Sequence, residues 1–503
     1  MLCLPGPTSG LRRQGARGDA AKADIPCGTR DLPLTTCRYS GAVIATLSHF
    51  TSAAPTPGGR RGVAATSPRG RVDGGGNGDR RFFVLVALAG IVMRLLPLVG
   101  LNGMAGFQGA GEATLTARTL AATGVFGDAY FAGQGPTAHL LPVSPTIAAL
   151  FFAAFGYAKP LANLGLLGWS LLQTFASYWL VQRLASPLRL SPTTQRWAFA
   201  LMCLVPVYLP QEVVDFRYWE GALAVCLAML ALHRILRLTE MDEVAPRQLA
   251  YGAALTAATF FVSPIAGAAL YLCWAWFAVT RLPWRRALFL AASATAALVL
   301  VLAPWAIRNT VVLGSPVLIR SNFGLELAIG NHPGADDPSR APADRYATRL
   351  ASIHPYHNAE ARAQMRAAGG EVAYSRQLGA AAAQWIARHP LRFATLAAGR
   401  VRDFFFPPVW EMYFTGTDHM MVPRAVILCV VAMLGLARLA IGLSQRESGF
   451  ATVALYLIGV ALPYALVQPI PRYSYLAYGL LMLLAVDLIV RTTAGKRPVA
   501  DQA

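Results

Sequence analysis

The chain has 503 residues, of which 55% are hydrophobic and only 14% charged, with a mean hydropathy of +0.45. A soluble domain carries roughly 25% charged residues, so an ordinary globular enzyme is excluded and a bilayer protein is expected. The net charge of +19 does not point to nucleic acid, because the arginines fall in short loops between apolar runs, where they mark the cytoplasmic side of a membrane protein.

Residues 1–80 are rich in Gly, Pro, Ala, Ser and Arg, show no periodicity and end in VDGGGNGDRR. A disordered, basic, cytoplasmic tail is expected, or else an over-extended start of translation. Ala42–Leu47 is too short and polar for the core of a signal peptide. Cys3, Cys27 and Cys37 lie in this tail, and Cys203, Cys226, Cys273 and Cys429 in apolar runs, so no disulfide framework is expected.

The first apolar run, 82–100, follows Arg80 and Arg81, which sets its start inside. A polar loop comes next, FQGAGEATLTARTLAATGVFGDAYFAGQGPTAHLLPVSP, with Glu112 and Asp128 as its acids. Pro142–Gly156 is apolar but short of the ~20 residues a span needs. Counting it as a span would also put Arg183, Arg189, Arg196, Arg281, Arg285 and Arg286 outside. It therefore reads as a helix that dips into the outer leaflet. The remaining spans are expected at 161–182, 197–211, 218–238, 248–263, 265–281, 286–306, 423–443, 449–467 and 472–491, making about ten, with both termini inside. Residues 307–422 form a long outer region, helical near 359–388, with an interfacial amphipathic piece at 391–406. The expected organisation is thus a tail (1–80), an N-terminal transmembrane module (81–306) with its first outer loop at 101–160, the outer region (307–422), C-terminal transmembrane helices (423–491) and a cytoplasmic tail (492–503).

Several stretches resemble bacterial C-type (GT-C) polyprenyl-phosphate-dependent glycosyltransferases, similar to protein O-mannosyltransferases and aminoarabinose transferases. They are the acid after the first span with GPTAHLLPVSP, APWAIRNTVVLGSPVLIRSNFGLELAIGNHPGA (Ala303–Ala335), and GGEVAYSRQLGAAAAQWIARHPLRF (Gly369–Phe393). The resemblance covers roughly 82–490. It implies an all-α integral membrane fold, a GT-C-like helical bundle with outer juxtamembrane helices. It also implies transfer of a sugar from a polyprenyl-phosphate donor to an envelope glycan, lipid or protein acceptor outside the cytoplasmic membrane. Such relatives often carry Asp-Glu where this chain has Gly111-Glu112, so the base role has passed to Glu112 or is vacant.

A lipid phosphate is already a good leaving group. The chemistry needs a carboxylate to take the acceptor proton and cations to hold the phosphate. Glu112 opens a helix whose apolar stripe is Ala113, Ala117 and Leu120; it reads as the general base, against stabilisation of a helix N-terminus. Asp128 reads first as a turn former, and Glu220, beside Tyr218 and Trp219, as a second carboxylate or part of an interfacial belt. Arg308, Asn309 and Arg320, with Arg94 and His139, are the candidates for the donor phosphate; for Arg94 the alternative is snorkelling. Asn322 and Asn331 are candidates to order a loop over the cavity. His354 and His357 in HPYH are too little for a metal site, and no required metal or other cofactor is expected. The competing readings are a transporter or flippase of a polyprenyl-linked glycan, which would show internal repeats, and a non-catalytic scaffold.

Overall fold

The computed structural model describes residues 75–100, 111–412 and 418–494. The expected tail up to Arg80, its three cysteines, the start of the first loop and the last residues therefore lie almost wholly outside the described part. Within it the protein is all-α, with no strand beyond a single Gly127–Pro136 bridge. The four cysteines there are free.

Chain order runs α1 (Gly75–Gly100), α2 (Glu112–Thr123), α3 (Val143–Phe155), α4 (Pro160–Arg183), α5 (Pro192–Leu204), α6 (Leu209–Val213) and α7 (Gly221–Leu238). A hairpin follows, α8 (Pro246–Val262) and α9 (Pro264–Arg281), then α10 (Trp284–Leu313). The long polar region supplies α11 (Phe323–Gly330), α12 (Pro342–Ile353), α13 (Ala359–Ala367), α14 (Glu371–Arg388) and α15 (Pro390–Phe405). The chain closes with α16 (Met421–Ser444), α17 (Phe450–Ala461) and α18 (Pro471–Ala494).

Local chemistry sets these boundaries. Proline opens α4, α5, α8, α9, α12 and α15, where its missing N–H costs nothing. Ser191 caps α5 by accepting from Thr194 N–H at 3.0 Å, and Asn358 caps α13 through Glu360 N–H at 2.8 Å. Ser263, extended between α8 and α9, turns one apolar run into a hairpin.

Six helices are long and apolar enough to cross a bilayer: α1, α4, α7, α10, α16 and α18. Together they make a multi-pass membrane protein. The ten spans expected from the sequence are not all matched by such helices. α8 has 17 residues and α17 has 12, and both fall short of the roughly 20 residues of a full span. The expected span 197–211 is broken, because α5 and the segment Leu209–Arg217 meet at 74°. Pro206 is the cause. It has no N–H to give to Met202 O, and Val207 N–H turns to Val205 O instead. The carbonyls so released are taken by Arg94. Its guanidinium donates to Met202 O at 3.2 Å and to Cys203 O, and to the Glu212 carboxylate at 2.7 Å. Gly90 makes this approach feasible, since a Cβ there would stand 2.7 Å from Cys203 O.

At one end of the bundle Arg438, Asp487, Glu447 and Arg491 form a charge network, with Thr194 bonded to Asp487. The polar loops and α11–α15 lie in the two long connections. α3 has 13 residues, about 20 Å at 1.5 Å per residue, against ~30 Å of hydrocarbon. It packs on α2 and α4. Cysteines introduced as Ala132→Cys and Tyr157→Cys, before and after α3, should therefore react with an impermeant maleimide from the same side of the membrane. Labelling from opposite sides would mean that α3 crosses.

Candidate functional site

The site is built by three separated segments. Glu112 sits in the first turn of α2, which buries Glu112, Ala113, Thr114, Thr116 and Ala117. The apolar stripe read from the sequence is the face that packs: Ala113 and Ala117 are buried among Leu140, Ala148 and Phe152, with Leu120 against them. After α2 the chain makes a hairpin whose turn is Asp128. It adopts φ 60°, accepts Gly135 N–H at 2.9 Å and Thr119 Oγ1–H at 3.1 Å, and so is spent on its own turn. The hairpin returns to His139, which is 3% exposed. The third segment is the C-terminal end of α12, where His354 leaves the helix and turns inward.

These three meet. Glu112 Oε1 lies 3.5 Å from His354 Nε2 and 3.9 Å from His139 Nε2. Glu112 Oε2 is buried with no hydrogen-bond partner. Tyr130 O–H and His139 Nδ1 are 2.9 Å apart, and the Tyr130 ring lies against both imidazoles. His357, the other half of HPYH, is exposed. Burial pushes the Glu112 carboxyl up to about 7; its helix-start N–H and the Arg472 charge oppose this, and Glu326 adds to it. Burial and the neighbouring His357 push His354 down to about 3, and burial, His354, Arg320 and Arg472 lower His139. Both imidazoles are therefore neutral at physiological pH.

Beyond Glu112 the site turns basic. Arg320 NH2 donates to Glu220 Oε1 at 2.5 Å, so two of the expected residues do meet. Beside them Arg472, at the start of α18, stands 3.9 Å from the Trp219 ring centroid. Arg320 Nε and Arg472 Nε and NH1 are buried without hydrogen-bond partners. Glu326 lies in the field of both guanidiniums and is bonded to Asn322 at 3.2 Å; burial raises its pKa. Arg472 is not among the residues expected from the sequence, where it stands as the first residue of a span. Its signal was the charge within QPIPRYSY.

Other expected residues have different work. Arg308 and Asn309 belong to the last turns of α10, since that helix continues to Leu313 and not to 306. Arg308 donates to Phe126 O and Thr137 O, both at 2.6 Å, and packs over the Phe126 and Trp305 rings. It clamps the hairpin with NH1 and NH2. Asn309 is buried, donating to Val317 O at 2.9 Å. Arg94 is fully buried on Glu212 and backbone carbonyls, so it neither snorkels nor reaches a phosphate. Asn331 donates to Leu327 O and Leu466 O, both at 2.8 Å, and accepts from Arg400 at 3.1 Å; it ties α11 to the segment before α18.

Ligand atoms of Glu112, His139 and His354 all lie within 4.8 Å of one another. This combination of loop-one and α12 residues was not visible in the HPYH pair alone.

No protein-family model and no curated protein matches the sequence. Among solved structures the chain is similar to oligosaccharyltransferase AglB from Archaeoglobus fulgidus, in complex with an inhibitory peptide and a dolichol-phosphate, at 14% identity and a TM-score of 0.49, over 83% of this chain and 51% of that one. It is also similar to ArnT from Cupriavidus metallidurans bound to undecaprenyl phosphate, at 16% identity and a TM-score of 0.33, over 84% and 79%. The chain spans about half the length of the oligosaccharyltransferase.

The hairpin that carries His139 is anchored by Glu371, at the start of α14. Its carboxylate accepts from Gln134 Nε2 (2.7 Å), Thr137 Oγ1 (2.6 Å), Ala138 N–H (2.7 Å) and Ser321 Oγ (2.8 Å). Burial raises its pKa against the pull of these four donors. Glu371→Ala strands buried donors at about 1–3 kcal/mol each. The expected result is a lowered Tm and faster proteolysis between residues 126 and 139, read by limited digestion; an unchanged digestion pattern would remove Glu371 as the anchor.

Proposed function

We propose that the protein is a membrane glycosyltransferase. It transfers a sugar from a polyprenyl-phosphate donor to an acceptor hydroxyl at the outer face of the cytoplasmic membrane. The observation that carries the reading is the pairing of an unpartnered, buried Glu112 oxygen with unpartnered guanidinium nitrogens of Arg320 and Arg472, each group in the electrostatic field of the next. The outer orientation rests on the arginines that gather at the other end of the bundle, at Arg189, Arg237, Arg281 and Arg491. The polar loops carry the chemistry, and no internal repeat supports a transporter.

In this mechanism Glu112 takes the acceptor hydroxyl proton while the oxygen forms its bond to the anomeric carbon. The bond from that carbon to the phosphate oxygen breaks, and the leaving lipid phosphate keeps the electron pair. Arg320 and Arg472 meet its charge with charge-assisted hydrogen bonds. Glu220 holds Arg320 in place, and the Trp219 face holds Arg472. Neutral His354 accepts Tyr356 N–H on Nδ1 at 3.3 Å, which leaves its Nε2 proton toward Glu112 and steadies the carboxylate. A base with a pKa of about 7 is matched to its working pH.

The test is turnover of polyprenyl-phosphate sugars by the purified protein. Glu112→Gln should cut the rate roughly 10²–10⁴-fold and leave donor binding intact. Because the free carboxyl is protonated below about 7, the wild-type rate should climb with pH through that value and level off above it, and the variant should lack this limb. A fully active Glu112→Gln enzyme would sink the assignment. Arg472→Gln and Arg320→Gln should each weaken donor binding roughly 10- to 150-fold, the worth of a charge-assisted bond of about 1.5–3 kcal/mol. Unchanged donor affinity in both would remove them from the site.

One observation favours a second reading, in which Glu112, His139 and His354 hold a divalent metal. Their separations of 3.5 and 3.9 Å are long for hydrogen bonds. They approach the roughly 3.4 Å between ligands of a tetrahedral ion with ~2.1 Å bonds. A bound ion would supply Lewis-acid polarisation of an oxygen in the cavity. The Tyr356–His354 bond would have to yield for Nε2 to ligate. His354→Ala separates the readings. Under the base reading it costs much less than Glu112→Gln and metal content is nil; under the metal reading it costs as much as Glu112→Gln, and elemental analysis finds about one ion per wild-type chain and none in the variant.

A further inference from the structure

A concave site lies apart from the Glu112, Arg320 and Arg472 cluster. It is a cleft of about 280 Å³ along one face of α12, lined by His332, Asp337, Arg340, Arg345, Thr348 and Arg349, with Ser352 at its end. In α12 the residues Arg345, Thr348, Arg349 and Ser352 follow the i, i+3, i+4, i+7 spacing of one helical face. Tyr346, Leu350 and Ile353 take the other side and pack with Leu325, Leu327 and Tyr374. The helix thus turns an apolar face to the core and a basic face to the cleft. The cleft carries three arginines against one aspartate.

The positive groups there are only loosely satisfied. Arg345 Nε is buried with no hydrogen-bond partner. Arg340 is 57% exposed and 3.9 Å from Asp337, a weak surface pair. Arg349 spends Nε on Ala328 O at 3.2 Å and keeps its other nitrogens. His332 accepts Gly334 N–H on Nδ1 at 3.2 Å, so its neutral ring presents Nε2–H as a donor. No aliphatic or aromatic hydrophobic residue lines the cleft; its apolar surface comes from the stems of the polar side chains. Arginine forks suit phosphate or carboxylate oxygens, whereas Thr348, Ser352 and Asp337 suit the hydroxyls of a sugar.

We propose that this cleft binds an anionic saccharide, a sugar bearing a phosphate or a carboxylate, as the remote part of the acceptor. The inference rests on the glycosyltransferase reading for the word acceptor and on the cleft alone for the ligand class. Its position fits the role. His354, two residues beyond Ser352, touches the Glu112 carboxylate, and nine residues of helical rise from Arg345 to His354 amount to roughly 14 Å. His354 turns inward from the side of α12 opposite the cleft, so an oligosaccharide anchored by its charge must pass around the end of the helix to bring a hydroxyl further along its chain to the base.

The experiment measures binding of glucose 1-phosphate, glucuronate, glucose and inorganic phosphate to the full-length protein in nanodiscs by saturation-transfer NMR. Both anionic sugars should bind at least tenfold tighter than either glucose or phosphate. The double variant Arg340→Gln/Arg345→Gln should weaken both at least tenfold, and Arg320→Gln/Arg472→Gln, which removes the lipid-phosphate guanidiniums, should leave the binding of glucuronate, which carries no phosphate, in place. Thr348→Glu, at an exposed position, repeats the test with a repelling charge should the double variant fail to fold. Equal binding of glucose, equal binding of free phosphate, no binding at all, or loss of glucuronate with the Arg320/Arg472 variant instead would each overturn the proposal. Polyprenyl-phosphate binding, measured in parallel, keeps the two readings apart: anionic-sugar binding without lipid-phosphate binding upholds the cleft and removes the transferase reading.

Discussion

The site depends on one buried carboxylate that does no chemistry. Glu371 collects four donors from two loops, and around it the backbone of one strap is pinned at every turn. Ala138 O takes Ser321 N–H at 3.0 Å, and Phe126 O and Thr137 O take Arg308. The strap brings His139 to Glu112. The Ser321 end of the same bond set fixes the neighbours Arg320 and Asn322. A single desolvated charge, satisfied on both oxygens, therefore sets the distance between the acidic and basic halves of the cavity. Hydrogen bonds to a carboxylate are roughly twice as strong as neutral ones, which is why one residue suffices for the task. Close backbone contact completes the joint: a Cβ on Gly324 would lie 1.9 Å from Ser375 O, so α11 can rest directly on α14.

The cavity is organised as a gradient of charge. At one end a carboxyl and two imidazoles are held near neutrality by burial; at the other, guanidiniums retain their charge through Glu220 and aromatic faces. Unpartnered polar atoms in such a place are costly, about 1–3 kcal/mol each, and a fold that keeps several of them in one cavity stores that cost for a ligand to release. By contrast Arg400, with its pKa lowered to about 10 by burial, finds Gly330 O, Asn331 and the carbonyls of Ala465 and Leu466.

Much of the architecture was legible in the sequence. Hydropathy marked α1, α4, α7, α10, α16 and α18, and the brevity of α3 was plain from its composition. The stripe Ala113, Ala117 and Leu120 followed from helical spacing, whereas Glu112 stood out through the family resemblance. The rest was hidden for identifiable reasons. The break after α5 was announced by Pro206, but a proline inside an apolar run does not say how sharply the chain turns. Arg94 read as a cavity residue because nothing local reveals that it answers carbonyls released by that proline. Arg308 looked like a phosphate ligand because arginines at helix ends resemble one another until their acceptors are known. His354 joins Glu112 from far along the chain, and Glu371 draws its partners from two distant loops; such pairings are set by tertiary packing, which periodicity does not encode. Arg472 was overlooked because the residue that opens a span is ordinarily assigned to the interface.

The Arg94–Glu212 pair has a consequence for biosynthesis. The partners are 118 residues apart, so α1 enters the bilayer before its counter-charge has been made. An unpaired arginine costs about 2.5–3.5 kcal/mol at a helix centre and less toward an end, where Arg94 sits, four residues before Leu98. The eleven Leu, Ile, Phe and Val residues between Asp79 and Leu98 return roughly 0.3–0.6 kcal/mol each, enough to hold the helix in place alone. α1 thus waits in the membrane as a competent but charged helix. Its final position needs both the carbonyls freed at Pro206 and the Glu212 carboxylate of α6.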